Sequence, residues 1–214
     1  MTGATPFPLV VAAPSGAGKT SLARALLQAR RDLVFSVSAT TRERRPHEKD
    51  GVDYHFVGDA EFDAMIEAGE FVEWAVVHGE RYGTTRSAIQ EALDDGRVVV
   101  LDIDVKGAAA IRASFDDAVL VFVLPPSGEA LAHRLAGRGS EAGVERRRRL
   151  INARAELPSA PRFDYVVVND DFDAGVAALG AIVDAELLRV DRRPGLERAL
   201  SSIDREIAAI LEES

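Results

Sequence analysis

The apolar run Leu9 to Ala12 leads straight into Ala13-Pro14-Ser15-Gly16-Ala17-Gly18-Lys19-Thr20, and Ser21-Leu22 then opens a helical pattern. The spacing is that of G-x-x-x-x-G-K-[ST], with Ala13 at the first position in place of glycine. Small residues at these positions let backbone N–H groups turn inward around phosphates, and the following helix presents the positive end of its dipole to the same charge. In such a loop Lys19 reaches the β- and γ-phosphates of a nucleotide and the Thr20 hydroxyl holds Mg²⁺. A helix is expected from Ser21 to Arg31, with Leu22, Leu26 and Ala29 on one face, and a second strand from Val34 to Ser38. Strand, loop, helix and strand in this order predict a parallel sheet with crossover helices.

The pattern then changes. Residues 38–46 are polar and basic, Lys49 to Tyr54 reads as a turn, and a strand follows through His55, Phe56 and Val57. Asp59 is placed to cap a helix carrying Phe62, Met65 and Ile66, with Gly69 as its stop. In the strand Phe71 to Val77, Glu73 is expected on the same face as Phe71, Ala75 and Val77. A carboxylate there needs a donor, supplied by a ligand or by an arginine. Thr84 is expected to cap a helix over Thr85 to Asp95. Val98-Val99-Val100-Leu101-Asp102 has no alternation, so it reads as a strand covered on both faces, ending in an acid at the edge where open α/β sheets bind ligands.

Ala118 to Leu124 is a further buried strand. Ser127 caps a helix in which Arg134 and Arg138 share a face, and a second helix from Glu141 to Leu157 carries Arg146 to Arg149. Tyr165 to Val168 is a last core strand, ending in Asn169-Asp170-Asp171. The helical tail is broken at Pro194-Gly195. Beyond it, Leu196, Leu200, Ile203, Ile207 and Ile210 form a stripe expected to pack on the body of the protein or on a second subunit. The fold class is α/β: a P-loop NTPase-type parallel core with helices on both faces, interrupted by a mixed α/β insertion and a helical, arginine-rich one. The core comprises residues 5–37, 91–125 and 160–190 of one domain spanning 1–214; the insertions are 38–90 and 126–159, and 191–214 form the C-terminal helix.

The net charge is −9, which gives no general attraction to nucleic acid or to a membrane surface, so polyanionic ligands require the local arginine clusters. The absence of cysteine excludes a disulfide framework and thiolate chemistry. No apolar run reaches bilayer length, and a cytoplasmic enzyme is expected. The four histidines form no recognisable catalytic arrangement.

Several separated motifs together resemble the guanylate kinase family. They are Ala13 to Lys19, Ser36 to Arg42, Gly51-Val52-Asp53-Tyr54, Tyr82-Gly83-Thr84, Leu101 to Asp104, Arg134 to Gly139 and Val168 to Asp171. The resemblance implies transfer of the ATP γ-phosphoryl group to GMP, with Mg²⁺ accompanying ATP. It also implies that 38–90 is the GMP-binding insertion and 126–159 the lid. Ser38, Arg42, Arg45, Tyr54 and Tyr82 would hold the GMP phosphate, while Glu73, Thr84 and Asp104 would read guanine. Ala13, Pro14, Ser15, Gly16, Ala17, Gly18, Lys19, Thr20 and Ser21 would bind ATP. Asp102 would support the metal beside Thr20, partly through water. Arg134, Arg138 and Arg149 would close over the phosphates, and Asn169 would lie near adenine. Lys19, Arg42, Arg134, Arg138 and Arg149 are the expected catalytic residues. The partners are small molecules, with the choice between monomer and homo-oligomer left open. Two alternatives remain: a related P-loop kinase with another acceptor, and a non-catalytic binding module of the same fold.

Overall fold

Strand β1 (Pro8–Ala12) lies at the middle of a five-stranded parallel sheet whose order is β2 (Leu33–Phe35), β7 (Val98–Asp102), β1, β8 (Val119–Leu124) and β9 (Tyr165–Val168). The computed structural model describes residues 3–77, 79–136 and 141–212. Every residue of β1 is buried, and alternate side chains enter different layers. Leu9 and Val11 join Leu22, Leu26, Leu179 and Val183 under α1 (Lys19–Ala29) and α7 (Phe172–Leu187). Val10 and Ala12 join Ile89, Ala108 and Ile111 under α3 (Arg86–Asp94) and α4 (Val105–Ser114). Covering both faces is what allows such a strand to be continuously apolar; each fully buried Leu, Ile or Val contributes about 1.5–3 kcal/mol.

A second, four-stranded sheet has the order β4 (His55–Phe56), β3 (Ala39–Thr40), β6 (Glu80–Thr85), β5 (Phe71–Val77), with α2 (Asp59–Glu67) packed on it. A third apolar cluster joins α5 (Gly128–Arg134) to α6 (Glu141–Glu156) through Leu131, Leu135, Leu150 and Ala153.

Several expectations need correction. The predicted strand Val34 to Ser38 divides between two sheets: the Ser36 N–H still donates to Val100 O at 3.0 Å, after which the chain leaves the core and Ala39 joins the second sheet. Helix α1 begins at Lys19, two residues early, because Gly18 in the left-handed region is its N-cap. The N-cap of α2 is Gly58, with no side-chain cap bond, so Asp59 is its first residue and contributes only charge to the first turn. Helix α3 is capped by Thr85, whose side chain accepts from the Ala88 N–H at 3.3 Å, not by Thr84. Helix α5 ends at Arg134; Arg138, expected on the same face, lies outside the described residues, as do Gly137, Gly139 and His78.

After a 3₁₀ turn (Val190–Arg192), α8 (Leu196–Glu212) leaves the middle of its stripe exposed. Leu200, Ile203 and Ile207 are 56%, 53% and 51% exposed. No helix among the described residues is long and apolar enough to cross a membrane.

Candidate active site

The loop between β1 and α1 depends on two glycines for shape and space. Gly16 and Gly18 have φ of 89° and 96°, where a side chain is strained. A Cβ on Gly18 would stand 2.4 Å from Asn169 Nδ2, and one on Gly16 would stand 2.5 Å from Leu135 Cδ2. The loop is therefore wedged between the end of β9 and the end of α5. Asn169, buried at that strand end, donates from Nδ2 to Ala17 O at 2.7 Å. Arg134 donates to the carbonyls of Asn169 (2.8 Å) and Ala17 (3.3 Å). In this arrangement both residues support the loop's backbone. One N–H of the Asn169 amide is committed to Ala17.

Asp102 ends β7 beside that loop. One carboxylate oxygen accepts from Lys19 Nζ and the other from Thr20 Oγ1. A hydroxyl and a carboxylate side by side form a hard oxygen donor set of the kind that suits Mg²⁺, which is held by one or two protein oxygens together with phosphates and water. Among the described residues no cluster of three or more His, Cys, Asp or Glu side chains could hold a metal by itself.

The second sheet brings Arg42, Tyr54 and Tyr82 together. The Arg42 guanidinium lies 5.4 Å from the Tyr54 ring centroid and 5.7 Å from that of Phe56, and the rings of Tyr54 and Tyr82 meet edge to face at 5.8 Å. Burial raises the Tyr54 phenol above its usual range, so it remains a hydroxyl donor at neutral pH. Sequence reasoning missed Glu48, which orients this cluster. Its carboxylate accepts from Arg42 Nη2 and from the Arg45 N–H, each at 2.8 Å. Arg42 first, then the Arg45 amide, hold its carboxyl down at about 2. Ser38 lies just before β3, where its carbonyl accepts from the His55 N–H at 2.9 Å.

Glu73 faces away from Phe71. A register shift between them sets Phe71 opposite Thr85 but Glu73 opposite Thr84, so Phe71 and Trp74 both meet Phe62 of α2 while Glu73 turns toward α4. The bulge breaks the alternation from which a shared face was expected. Thr84, freed of any capping role, donates from Oγ1 to Glu73 Oε1 at 2.6 Å. Glu73 Oε2 lies 3.2 Å from where a Cβ on Gly107 would stand, so glycine in the first turn of α4 leaves room for the carboxylate. Asp104 caps that helix, its Oδ1 accepting from the N–H groups of Lys106 (2.9 Å) and Gly107 (2.8 Å). Burial raises the Glu73 pKa against the pull of the Thr84 hydroxyl, and Asp104 adds a further upward push.

Helix α6 leans on the loop from the side of α5. Of its arginine run, Arg149 donates from Nε to Ser15 Oγ at 3.0 Å, whereas Arg148 turns to Glu145. One turn before the helix ends, Ala153 is buried against α5, and the last residue, Glu156, accepts from the Ser15 N–H. Charge couples the two halves: Asp102 acts on Tyr54, and both Asp104 and Lys19 act on Glu156. Loop, acid strand end, arginine–tyrosine cluster and the two carboxylates therefore lie near one another at the C-terminal edge of the parallel sheet, where such folds bind ligands.

A separate cavity of about 480 Å³ lies at the opposite edge, lined by Thr5, Asp117, Asp164 and Arg192 among others. Its charged groups are engaged with one another: Tyr165 Oη donates to Glu186 at 2.6 Å, and Arg192 Nη2 to Asp117 O at 2.7 Å. Those bonds tie the end of α7 and the turn after it to the starts of β8 and β9.

The guanylate kinase family model matches residues 5–186. A guanylate kinase of Chelativorans sp. (strain BNC1) is 47% identical over 190 residues, 88% of this chain and 87% of its own. One from Thermotoga maritima is 45% identical over 183 residues, 86% of this chain and 88% of its own. Among solved structures, guanylate kinase from Anaplasma phagocytophilum superposes with a TM-score of 0.75 at 34% identity, covering 94% of this chain and 97% of that one. With the family model spanning most of its length and relatives of this identity covering it nearly end to end, the chain belongs to the guanylate kinase family.

Proposed function

We infer that this chain is a nucleoside monophosphate kinase, a guanylate kinase that transfers the γ-phosphoryl group of ATP to GMP and yields ADP and GDP. The observation that carries the reading is the meeting, at one edge of the sheet, of a phosphate loop seated on Asp102 with two neighbouring carboxylates, the half-buried Glu73 and the exposed Asp104. Guanine offers N1–H and an exocyclic amine as neighbouring donors, and two carboxylates can accept from them. Adenine has an acceptor at N1 and nothing at C2. AMP would offer a donor to neither acid, and a site built for hydrogen bonds rejects such an analogue by about 10⁴-fold or more.

In this reading Arg42, Arg45, Tyr54, Tyr82 and Ser38 hold the GMP phosphate, and the loop from Ala13 to Ser21 holds the ATP phosphates. A phosphate oxygen of GMP attacks Pγ while the bond to the β–γ bridging oxygen breaks and its electron pair leaves with ADP. The acceptor needs no general base, because a nucleotide monophosphate has a second pKa of about 6 and is largely a dianion at neutral pH. Lys19, Arg134, Arg138 and Arg149 are assigned to align the donor and neutralise its spread charge. Mg²⁺ bound with ATP would supply further neutralisation at the β- and γ-oxygens; Thr20 and Asp102 are the residues that fit it, partly through water. We divide the chain into a core, an acceptor insertion at 38–90 and a lid at 126–159. The cytoplasm, where both nucleotides are available, is the compartment this reading implies.

Mg²⁺-dependent ADP release, measured with GMP, dGMP, IMP, AMP, dTMP or a ribose phosphate offered singly, tests the assignment. Turnover is expected with GMP, weaker turnover with IMP and almost none with AMP. Preference for any other acceptor overturns the guanine reading. The role given to Glu48 has its own test. Glu48→Ala releases Arg42 and the Arg45 backbone from a shared acceptor, and steady-state kinetics should show KM for GMP raised about tenfold, with kcat changed less.

A further inference from the structure

Glu156 has no part in the chemistry above, yet its carboxylate reaches into the phosphate loop. It stands seven residues after Arg149 on α6, so the two occupy one face two turns apart. Both meet the same residue: Arg149 Nε donates to Ser15 Oγ at 3.0 Å, and the Ser15 N–H donates to Glu156 Oε2 at 3.3 Å. Between them Ala153 and Leu150 pack against Leu131 and Leu135 of α5. One helix face thus delivers a cation and an anion to the hydroxyl and the amide of a single loop residue.

The anion is weakly held. A bond of 3.3 Å is long for a charged acceptor. Burial pushes the Glu156 carboxyl up; the Ser15 N–H pulls it down, Asp104 pushes it up again and Lys19 pulls it down. Ser15 meanwhile belongs to the loop whose amides would serve the phosphates of a nucleotide. One N–H cannot serve a carboxylate and a phosphate oxygen at full strength together, and two anions in contact raise each other's energy.

We propose that Glu156 is a positioning residue that competes with the phosphates of ATP for the Ser15 amide, so that ATP evicts its carboxylate and the same movement of α6 carries Arg149 from Ser15 Oγ toward the phosphoryl group to be transferred. The proposal rests on the ATP-site reading given above. It makes the arrival of the donor nucleotide the signal that resets the lid, since the form with Glu156 on the loop and the form with phosphate on the loop exclude one another. A carboxylate whose only task were to hold the loop in its binding shape would have the opposite consequence, because its loss would weaken ATP binding.

Calorimetric titration of the wild type, Glu156→Gln and Glu156→Ala with MgATP in the absence of GMP separates the two. Both variants are expected to bind MgATP more tightly, by about tenfold, the worth of one charge-assisted hydrogen bond. KM for ATP is expected to fall in parallel, and GMP affinity to change little. MgATP affinity equal to or weaker than that of the wild type overturns the proposal. Two variants are used so that a folding defect in one leaves the other to decide. Wild-type protein that binds no MgATP overturns the ATP-site reading itself. Wild type that binds MgATP while neither variant binds more tightly overturns the role of Glu156 alone.

Discussion

Lys19→Met should lower kcat by about 10³-fold, while GMP still binds with near wild-type affinity. The ammonium lies on Asp102 at the start of α1, where loop, helix dipole and acid strand end converge. In the proposed reaction it is a point charge on the donor phosphates, and such a charge acts most in the transition state, when negative charge moves onto the leaving oxygen. The substitution keeps the length and most of the volume of the side chain, so the packing of α1 on β1 should survive. Removing the cation leaves the largely buried Asp102 with the Thr20 hydroxyl as its remaining side-chain donor. A lower melting temperature is therefore expected together with the lost turnover. Steady-state kinetics with a parallel GMP titration checks this: lost turnover with retained GMP binding is the predicted pair, and near-normal kcat would remove Lys19 from the mechanism.

The second large effect concerns the acceptor side. Glu73→Gln should lower kcat/KM for GMP by about 10- to 100-fold, since a hydrogen bond to a charged acceptor is worth about 1.5–3 kcal/mol and each 1.4 kcal/mol is tenfold. Thr84 can still donate to the amide oxygen, so the local geometry has reason to persist. Stability should move the other way. Burial raises the Glu73 pKa above its ordinary 4.5, so the folded state binds a proton more readily than the unfolded chain. Ionisation of Glu73 therefore opposes folding progressively as pH rises from the ordinary glutamate value through the raised one. The glutamine variant should melt higher than the wild type at neutral pH, and the difference should vanish below the ordinary glutamate range, where both side chains are neutral. Melting curves across that interval, set beside GMP kinetics, test both halves. A variant with lower stability and unchanged kcat/KM would contradict both.

Much of this was legible in the chain because it is encoded locally. The β1–α1 loop requires glycines at fixed spacing, and Gly16 and Gly18 do adopt the left-handed conformations that only glycine takes without strain. Runs such as Val98 to Leu101 announce a doubly covered strand because no polar side chain is tolerated on either face, and all four are buried. Ser127 caps α5 through a bond spanning three residues, so that cap could be read from the residues themselves.

The errors fall where the deciding partner is remote. Alternation assigned Glu73 a face shared with Phe71, but the bulge that separates them is set by pairing with β6. Thr84 and Thr85 are equivalent as capping candidates in sequence; the demand of Glu73 for a donor distinguishes them. Glu48 looked like one charge in a polar stretch until folding placed it between Arg42 and the Arg45 amide. Asn169 and Glu156 meet the phosphate loop across more than 130 residues of chain, a separation over which no periodicity or spacing carries information. The stripe on α8 was visible as a period, yet a period names no partner, and Leu200, Ile203 and Ile207 stay more than half exposed.

The sequence by itself therefore determined the phosphate loop and the parallel core, because glycine conformation, burial and capping act within a few residues. Tertiary structure alone decided which oxygen meets which donor: Glu73 with Thr84, Asp102 with Lys19 and Thr20, and Glu156 with Ser15. Hydrogen bonds are satisfied at about 3 Å in space, whatever the distance along the chain.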